Sequence, residues 1–240
     1  MEKIENKVAL ITGGSKGIGY GIAEALLAQG AKVAITSRSE EAALEAAQSL
    51  KKSSGSENVL GLKSDVRNYN DHEACVDAII QKWGQLDVVV ANAGVGRFGS
   101  VEDITVEQWN EVIETNLTGV FYTIKSAVEQ LKKQKGYFIT ISSLAGTNFF
   151  AGGAAYNASK FGLTGFSQAV MLDLRQSGVN VSTIMPGSVA TYFNDHKPNK
   201  DDFWKIQQED IGQIVVDLLE MNPRTLPSKI EVRPSQPPTK

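Results

Sequence analysis

The chain has 240 residues, 42 % of them hydrophobic, with a formal charge of −3 and a pI near 5.5. That supplies apolar surface for one sizeable core, and α/β chains of this length form one domain, here expected over residues 1–240. No basic block suits nucleic acid, no run of about 18 apolar residues suits a bilayer span, and one cysteine, Cys75, rules out an intrachain disulfide or a zinc cluster.

In chain order, "KVALIT" (7–12) reads as a buried strand ending at glycines. "GYGIAEALLAQG" is a helix closed by Gly30, and "AKVAITS" a second strand. "EEAALEAAQSLKKS" is rich in Ala, Leu and Glu and reads as helix, followed by the strand "NVLGLKSD" and the helix "NDHEACVDAIIQKWG". "LDVVVANAG" is a fourth strand. One long helical stretch is expected from about Thr105 to Lys135. "GYFITISS" is a fifth strand, and a helix carrying Tyr156 and Lys160 runs to about Gln176. "NVSTIMPG" is a sixth strand, "QEDIGQIVVDLLEMN" a last helix and "SKIEVRPS" a last short strand. Strands separated by helices require crossover connections. The expectation is therefore a doubly wound, Rossmann-like parallel sheet of about seven strands with helices on both faces. Residues 192–208 are expected to form a short substrate lid, and 234–240 a proline-rich tail that frays or lies along the surface.

"TGGSKGIG" joins the first strand to the first helix. Gly13, Gly17 and Gly19 allow a tight turn, and the helix amino terminus offers free N–H groups to a pyrophosphate. The spacing Gly-x3-Gly-x-Gly differs from the common dinucleotide fingerprint, but its place between strand and helix indicates a nucleotide. At the end of the second strand a carboxylate would favour an unmodified ribose. Ser37 and Arg38 stand there instead, and Lys16 can point to the same place. Two cations and two hydroxyls suit a 2′-phosphate, so NADP(H) is expected over NAD(H). Tyr156 and Lys160, one helical turn apart on the same face, place an ammonium roughly 6 Å from a phenol.

With "TGGSKGIG", "NAG" at 92–94, "ISS" at 141–143 and "YNASK" at 156–160 in order, the chain resembles the short-chain dehydrogenase/reductase family over residues 5–235. The resemblance implies a catalytic trio of Ser143, Tyr156 and Lys160, with Asn116 in "NLTG" steadying Lys160 through a water. It implies cofactor contacts from the turn residues Gly13, Ser15, Lys16, Gly17, Ile18 and Gly19, and from Ser37 and Arg38. Asp65 and Val66 would hold adenine, and Asn92, Ala93 and Gly94 the adenosine and phosphate side. Pro186, Gly187, Val189 and Thr191 would grip the nicotinamide carboxamide, and Lys160 the nicotinamide ribose. Two departures stand out: Ala91 replaces a frequent Asn, and the tail "EVRPSQPPTK" lacks the glycine pair common near the carboxyl end. The resemblance also implies a homodimer or homotetramer.

These residues suit hydride transfer between a nicotinamide and a carbonyl or alcohol, with Tyr156 as acid/base. Work near neutrality needs the phenol lowered by about 3 pKa units, roughly 4 kcal/mol, which Lys160 and an oxidised nicotinamide can supply. Ser143 would donate to the carbonyl oxygen. Ser142 competes for that role, and the thirteen-residue gap to Tyr156 favours Ser143. Leu144, Phe149, Phe150, Phe193 and Trp204 are candidate pocket walls or ordinary core. Some relatives reduce 3-oxoacyl thioesters, so a thioester or a general ketone is the expected substrate. His72 and His196 read as solvated, and Asp87 and Glu102 to Glu107 as solvated or capping groups, so no metal is implied. With no apolar run for a signal peptide, a cytoplasmic location is expected. The alternative is a non-catalytic NADP(H)-binding sensor or scaffold.

Overall fold

The computed structural model describes residues 4–238, so the expected domain span 1–240 and tail 234–240 extend beyond the described residues at 1–3 and 239–240. The strands are β1 (Val8–Ile11), β2 (Lys32–Ser37), β3 (Val59–Lys63), β4 (Val88–Ala91), β5 (Tyr137–Ile141), β6 (Asn180–Pro186) and β7 (Lys229–Val232). The helices are α1 (Gly17–Ala28), α2 (Glu40–Ser54), α3 (Tyr69–Trp83), α4 (Val106–Ile113), α5 (Gly119–Gln134), α6 (Ala154–Leu174) and α7 (Gln208–Glu220).

All strand pairs are parallel, in the order β3-β2-β1-β4-β5-β6-β7. Alternate residues of each strand face opposite sides. Ala9 and Ile11 of β1 join one core with Ile22 and Leu26 of α1, Leu50 of α2 and Val215 of α7. Val8 and Leu10 join another with Ile79 of α3, Ile124 of α5 and Leu163 of α6. A sheet buried on both sides explains why its central strands read as unbroken apolar runs.

Helix ends follow local chemistry. The Ser39 hydroxyl accepts from the Ala42 N–H ahead of α2, and Thr105 and Gln108 form a reciprocal cap ahead of α4. The helical stretch expected from about Thr105 to Lys135 runs unbroken as α4, a π-helical turn over Glu114–Thr118, and α5. The turn carries buried Asn116, whose side chain bonds sideways to Val95.

The winding reverses between β1 and β4, where a crevice opens beyond the strands' carboxyl ends. The glycine turn follows β1 and the "NAG" turn follows β4, so both meet there. The Thr12 N–H bonds the Val90 carbonyl at 3.0 Å, and the Thr12 hydroxyl accepts from the Asn92 and Ala93 N–H groups at 3.0 and 3.2 Å.

Candidate active site

A cleft of about 1220 Å³ runs along this crevice from Arg38 to the β6–α7 segment. Every candidate site residue contributes to its lining except Gly19 and Asn116, which stand directly behind it. Gly19 packs so closely that a Cβ would lie 2.5 Å from the Asn92 amide nitrogen. Gly13, at φ +63°, would put a Cβ 2.9 Å from the Ala93 Cα. The Asn92 side chain locks the two turns together, donating to the Thr12 and Gly13 carbonyls at 2.9 and 3.0 Å. α1 has no side-chain cap and no acidic residue in its first turn, which leaves its amino-terminal field toward the cleft. This cradle fits the pyrophosphate of a dinucleotide.

At one end, Ser15, Lys16, Ser37 and Arg38 also line a side pocket of about 520 Å³ together with Glu45. The Lys16 ammonium lies 5.7 Å from the Tyr192 ring centre, so it faces the β6–α7 segment and not Arg38 alone. Asp65 and Val66 line the cleft past β3. The Arg67 guanidinium, 2.6 Å away, holds the Asp65 carboxyl below the ordinary range.

At the other end, Ser143 follows β5 and caps a short 3-10 turn, accepting from the Ala145 N–H at 3.1 Å. Ser142 is buried and turned to the Lys160 carbonyl and Thr164 hydroxyl, so geometry separates the two serines. Lys160 is buried on α6, donates to the Ile141 carbonyl at 3.0 Å, and sits 5.7 Å from the Tyr156 ring centre. Burial lowers the Lys160 ammonium to about 8 and pushes the Tyr156 phenol above its ordinary value, with Ser143 opposing. This is the direction for the protein alone; the lowered phenol expected from the sequence draws on Lys160 together with an oxidised nicotinamide. Desolvation outweighs an amine that burial has itself made less willing to carry charge.

Asn116 bridges the site. Its oxygen accepts from the Val95 N–H at 2.8 Å, and its amide donates to the Val95 carbonyl at 2.9 Å and the Ser159 hydroxyl at 3.1 Å. Gly94 packs close beside it, where a Cβ would be 3.3 Å from the Asn116 oxygen and 3.7 Å from the Lys160 nitrogen.

Leu144, Phe150, Phe193 and Trp204 line the cleft, as do Pro186, Gly187, Val189 and Thr191. Phe149 is 86 % exposed and forms no part of it, a correction to the expected wall. The described part of the tail lies along the surface, with Ser235 to Pro238 exposed, and Arg233, Pro234, Pro237 and Pro238 border the cleft there. Three other expectations also fail. His72 is buried, its ring Nε2 donating to the Val66 carbonyl over 2.9 Å, and burial lowers its pKa. His196 is half-buried, 2.6 Å from buried Asp202. Asp87 is buried and accepts from the Val8 N–H at 2.8 Å and from Gln85 at 2.9 Å. Sequence reasoning missed Phe98, whose ring packs on Tyr156; its signal was a lone aromatic in the small-residue loop after "NAG". Asp202 carried no such signal.

Among the described residues, no group of three or more His, Cys, Asp or Glu could hold a metal ion, and no helix is long and apolar enough to cross a membrane. Burial raises the Cys75 thiol to about 11, so it stays protonated and unreactive.

Residues 7–202 match the family described as short chain dehydrogenase. The chain belongs to this family. It is an NAD(P)-dependent oxidoreductase. It is 38 % identical over 194 residues to trans-4-hydroxycyclohexanecarboxylate dehydrogenase of Sinomonas cyclohexanicum, covering 79 % of this chain and 75 % of that protein. It is 39 % identical over 188 residues to the 3-oxoacyl acyl-carrier-protein reductase FabG of Escherichia coli, covering 78 % and 75 %. Among solved structures, the alcohol dehydrogenase of Thermococcus sibiricus complexed with 5-hydroxy-NADP superposes with a TM-score of 0.90 at 31 % identity, covering 98 % of this chain and all of that one.

Proposed function

We propose that this short-chain dehydrogenase is an NADPH-dependent reductase of ketones or 3-oxoacyl thioesters, with Tyr156 as the proton donor. The observation that carries this reading is the convergence of Ser143, Tyr156 and Lys160 at one end of a cleft whose other end is a glycine cradle beside Ser37 and Arg38. The two curated relatives act on a ring alcohol and on a 3-oxoacyl group, both carbonyl–alcohol couples.

In this reading the glycine turn holds the pyrophosphate, and Asp65 and Val66 flank the adenine. Asn92 to Gly94 follow the adenosine side, and Pro186 to Thr191 hold the carboxamide. Arg38, Ser37 and Lys16 take a 2′-phosphate. When bound, the cofactor supplies a hydride in its reduced form and a positive charge in its oxidised form. Ser143 accepts from the Ala145 N–H, and its O–H serves the substrate oxygen. Tyr156, kept protonated by burial, gives its proton to the same oxygen. Lys160 spends one N–H on Ile141 and has two left for a ribose and the phenol. The segment 192–208 acts as a substrate lid, with Val189 paired to Ile206 at its base. The reading includes a cytoplasmic homo-oligomer, a dimer or tetramer.

The test is kcat/KM with NADPH and NADH on a carbonyl panel. NADPH should be preferred, and Arg38→Ala should erase most of the difference, about tenfold or more for a lost charge-assisted phosphate contact. Tyr156→Phe should bind NADPH normally and lose turnover by at least about 100-fold. An NADH preference overturns the cofactor assignment, and near-normal turnover in Tyr156→Phe overturns the acid.

A further inference from the structure

Three phenylalanines gather beside Tyr156, two of them on its ring. Phe98 meets it edge to face with centres 5.3 Å apart, and Phe193 lies 5.7 Å away. Phe98 and Phe193 are 6.4 Å apart, and Phe150 leans on Phe98 at 5.9 Å. They come from three loops far apart in sequence, after β4, after β5 and after β6. Core packing does not account for them, since Phe193, Phe98 and Phe150 are 37, 44 and 49 % exposed.

The arrangement is built and held. Gly96 makes room for it: a Cβ there would lie 2.6 Å from Phe193 Cζ and 2.9 Å from Phe98 Cε2. The loops bearing Phe98 and Phe150 are tied by the Gly99 N–H donating to the Gly152 carbonyl at 2.9 Å. The segment bearing Phe193 is clasped by buried Asp202, which takes His196 at 2.6 Å, the Lys205 ammonium and the Asn199 N–H at 3.1 Å. Apart from Lys160 at the reacting centre, the cations named along this half of the cleft are engaged by carboxylates: Arg97 by Glu111, Lys205 by Asp202 and Arg233 by Glu231. Around the rings the site therefore presents ring faces and edges to a substrate, with these positive charges already matched.

Resting on the carbonyl-reductase reading above, we infer that Phe98, Phe150 and Phe193 form the specificity-determining clamp and that it selects uncharged ketones on an aromatic or alicyclic ring over flexible 3-oxoacyl thioesters. A rigid ring meets aromatic faces and edges in favourable orientations and gives up less conformational freedom than a thioester chain. Gly96 is a positioning residue, acting through the seat it gives Phe193.

The experiment measures kcat/KM with NADPH for 2-tetralone and for the N-acetylcysteamine thioester of 3-oxobutanoate, in the wild type, Phe193→Ala and Gly96→Ala. Fluorescence titration of NADPH confirms that each variant is folded. The wild type should favour tetralone by about tenfold or more, and each variant should cut that ratio by about fivefold or more. A loss of overall activity at constant ratio would show a merely structural role and overturn the clamp. So would a wild type that uses the thioester as well as the ring ketone, a result that stands even if both variants misfold. Reduction of neither compound with NADPH or NADH would defeat the carbonyl-reductase reading itself, and the clamp with it.

Discussion

Tyr156 and Lys160 resist their charged forms for one reason, the removal of water, and they do so 5.7 Å from each other. The protein alone therefore keeps the phenol protonated, which is the form a reduction needs. His72 shows the same physics away from the cleft. Burial lowers its pKa while the Val66 carbonyl and the charges of Asp71 and Asp65 act the other way. Below about pH 6.5 the unfolded chain takes up a proton that the folded chain refuses, so His72 costs stability as pH falls. The melting temperature should drop between about pH 7 and 5, and His72→Gln, which keeps an N–H for Val66, should flatten part of that drop. Equal slopes in the two proteins would refute the assignment. The carboxylates of Asp65 and Asp202, held low by cationic partners, lose their contribution only at lower pH, below about 4.

Among the elements, two close approaches set the site. The π-helical turn lets Asn116 pair with both backbone groups of Val95, which fixes the loop leading to Gly96 and Phe98. The α1–α7 crossing places the glycine cradle. A Cβ at Gly212 would lie 2.7 Å from the Gly21 carbonyl oxygen and 2.9 Å from the Ala25 Cβ. Gly212→Ala should destabilise the fold by about 1–3 kcal/mol through overpacking, and should weaken NADPH binding by tilting α1. Denaturant unfolding gives the first quantity and fluorescence titration the second. An unchanged midpoint would mean that the helices separate freely.

For the whole molecule, the outer faces of α4, α5 and α6 leave Val106, Trp109, Phe121, Phe161 and Leu172 between 40 and 70 % exposed. Such apolar surface on several helices calls for a partner, and a second copy is the one this reading proposes. Light scattering should give a multiple of the 25.9 kDa chain, with Phe121→Glu shifting it toward the monomer. A single 25.9 kDa species in the wild type would refute the assembly.

Much was legible in order and spacing alone. Apolar runs, alternating with helical segments, specified a parallel sheet, and the glycine turn, "NAG", Ser143, Tyr156 and Lys160 marked which ends of it face one cleft. These signals are local: each depends on a run or a spacing within a few residues of chain. His72, Asp87 and Phe149 carried no such signal, because burial of a polar group, or exposure of a ring, depends on segments tens of residues away. The tertiary structure alone decided that Ser142 turns inward, that the proline tail borders the cleft and that Phe98 and Phe193 meet at one phenol with Phe150 behind Phe98. Those outcomes rest on how three loops and a carboxyl-terminal strand pack across the sheet, and close packing between distant segments leaves no periodicity in the sequence to read.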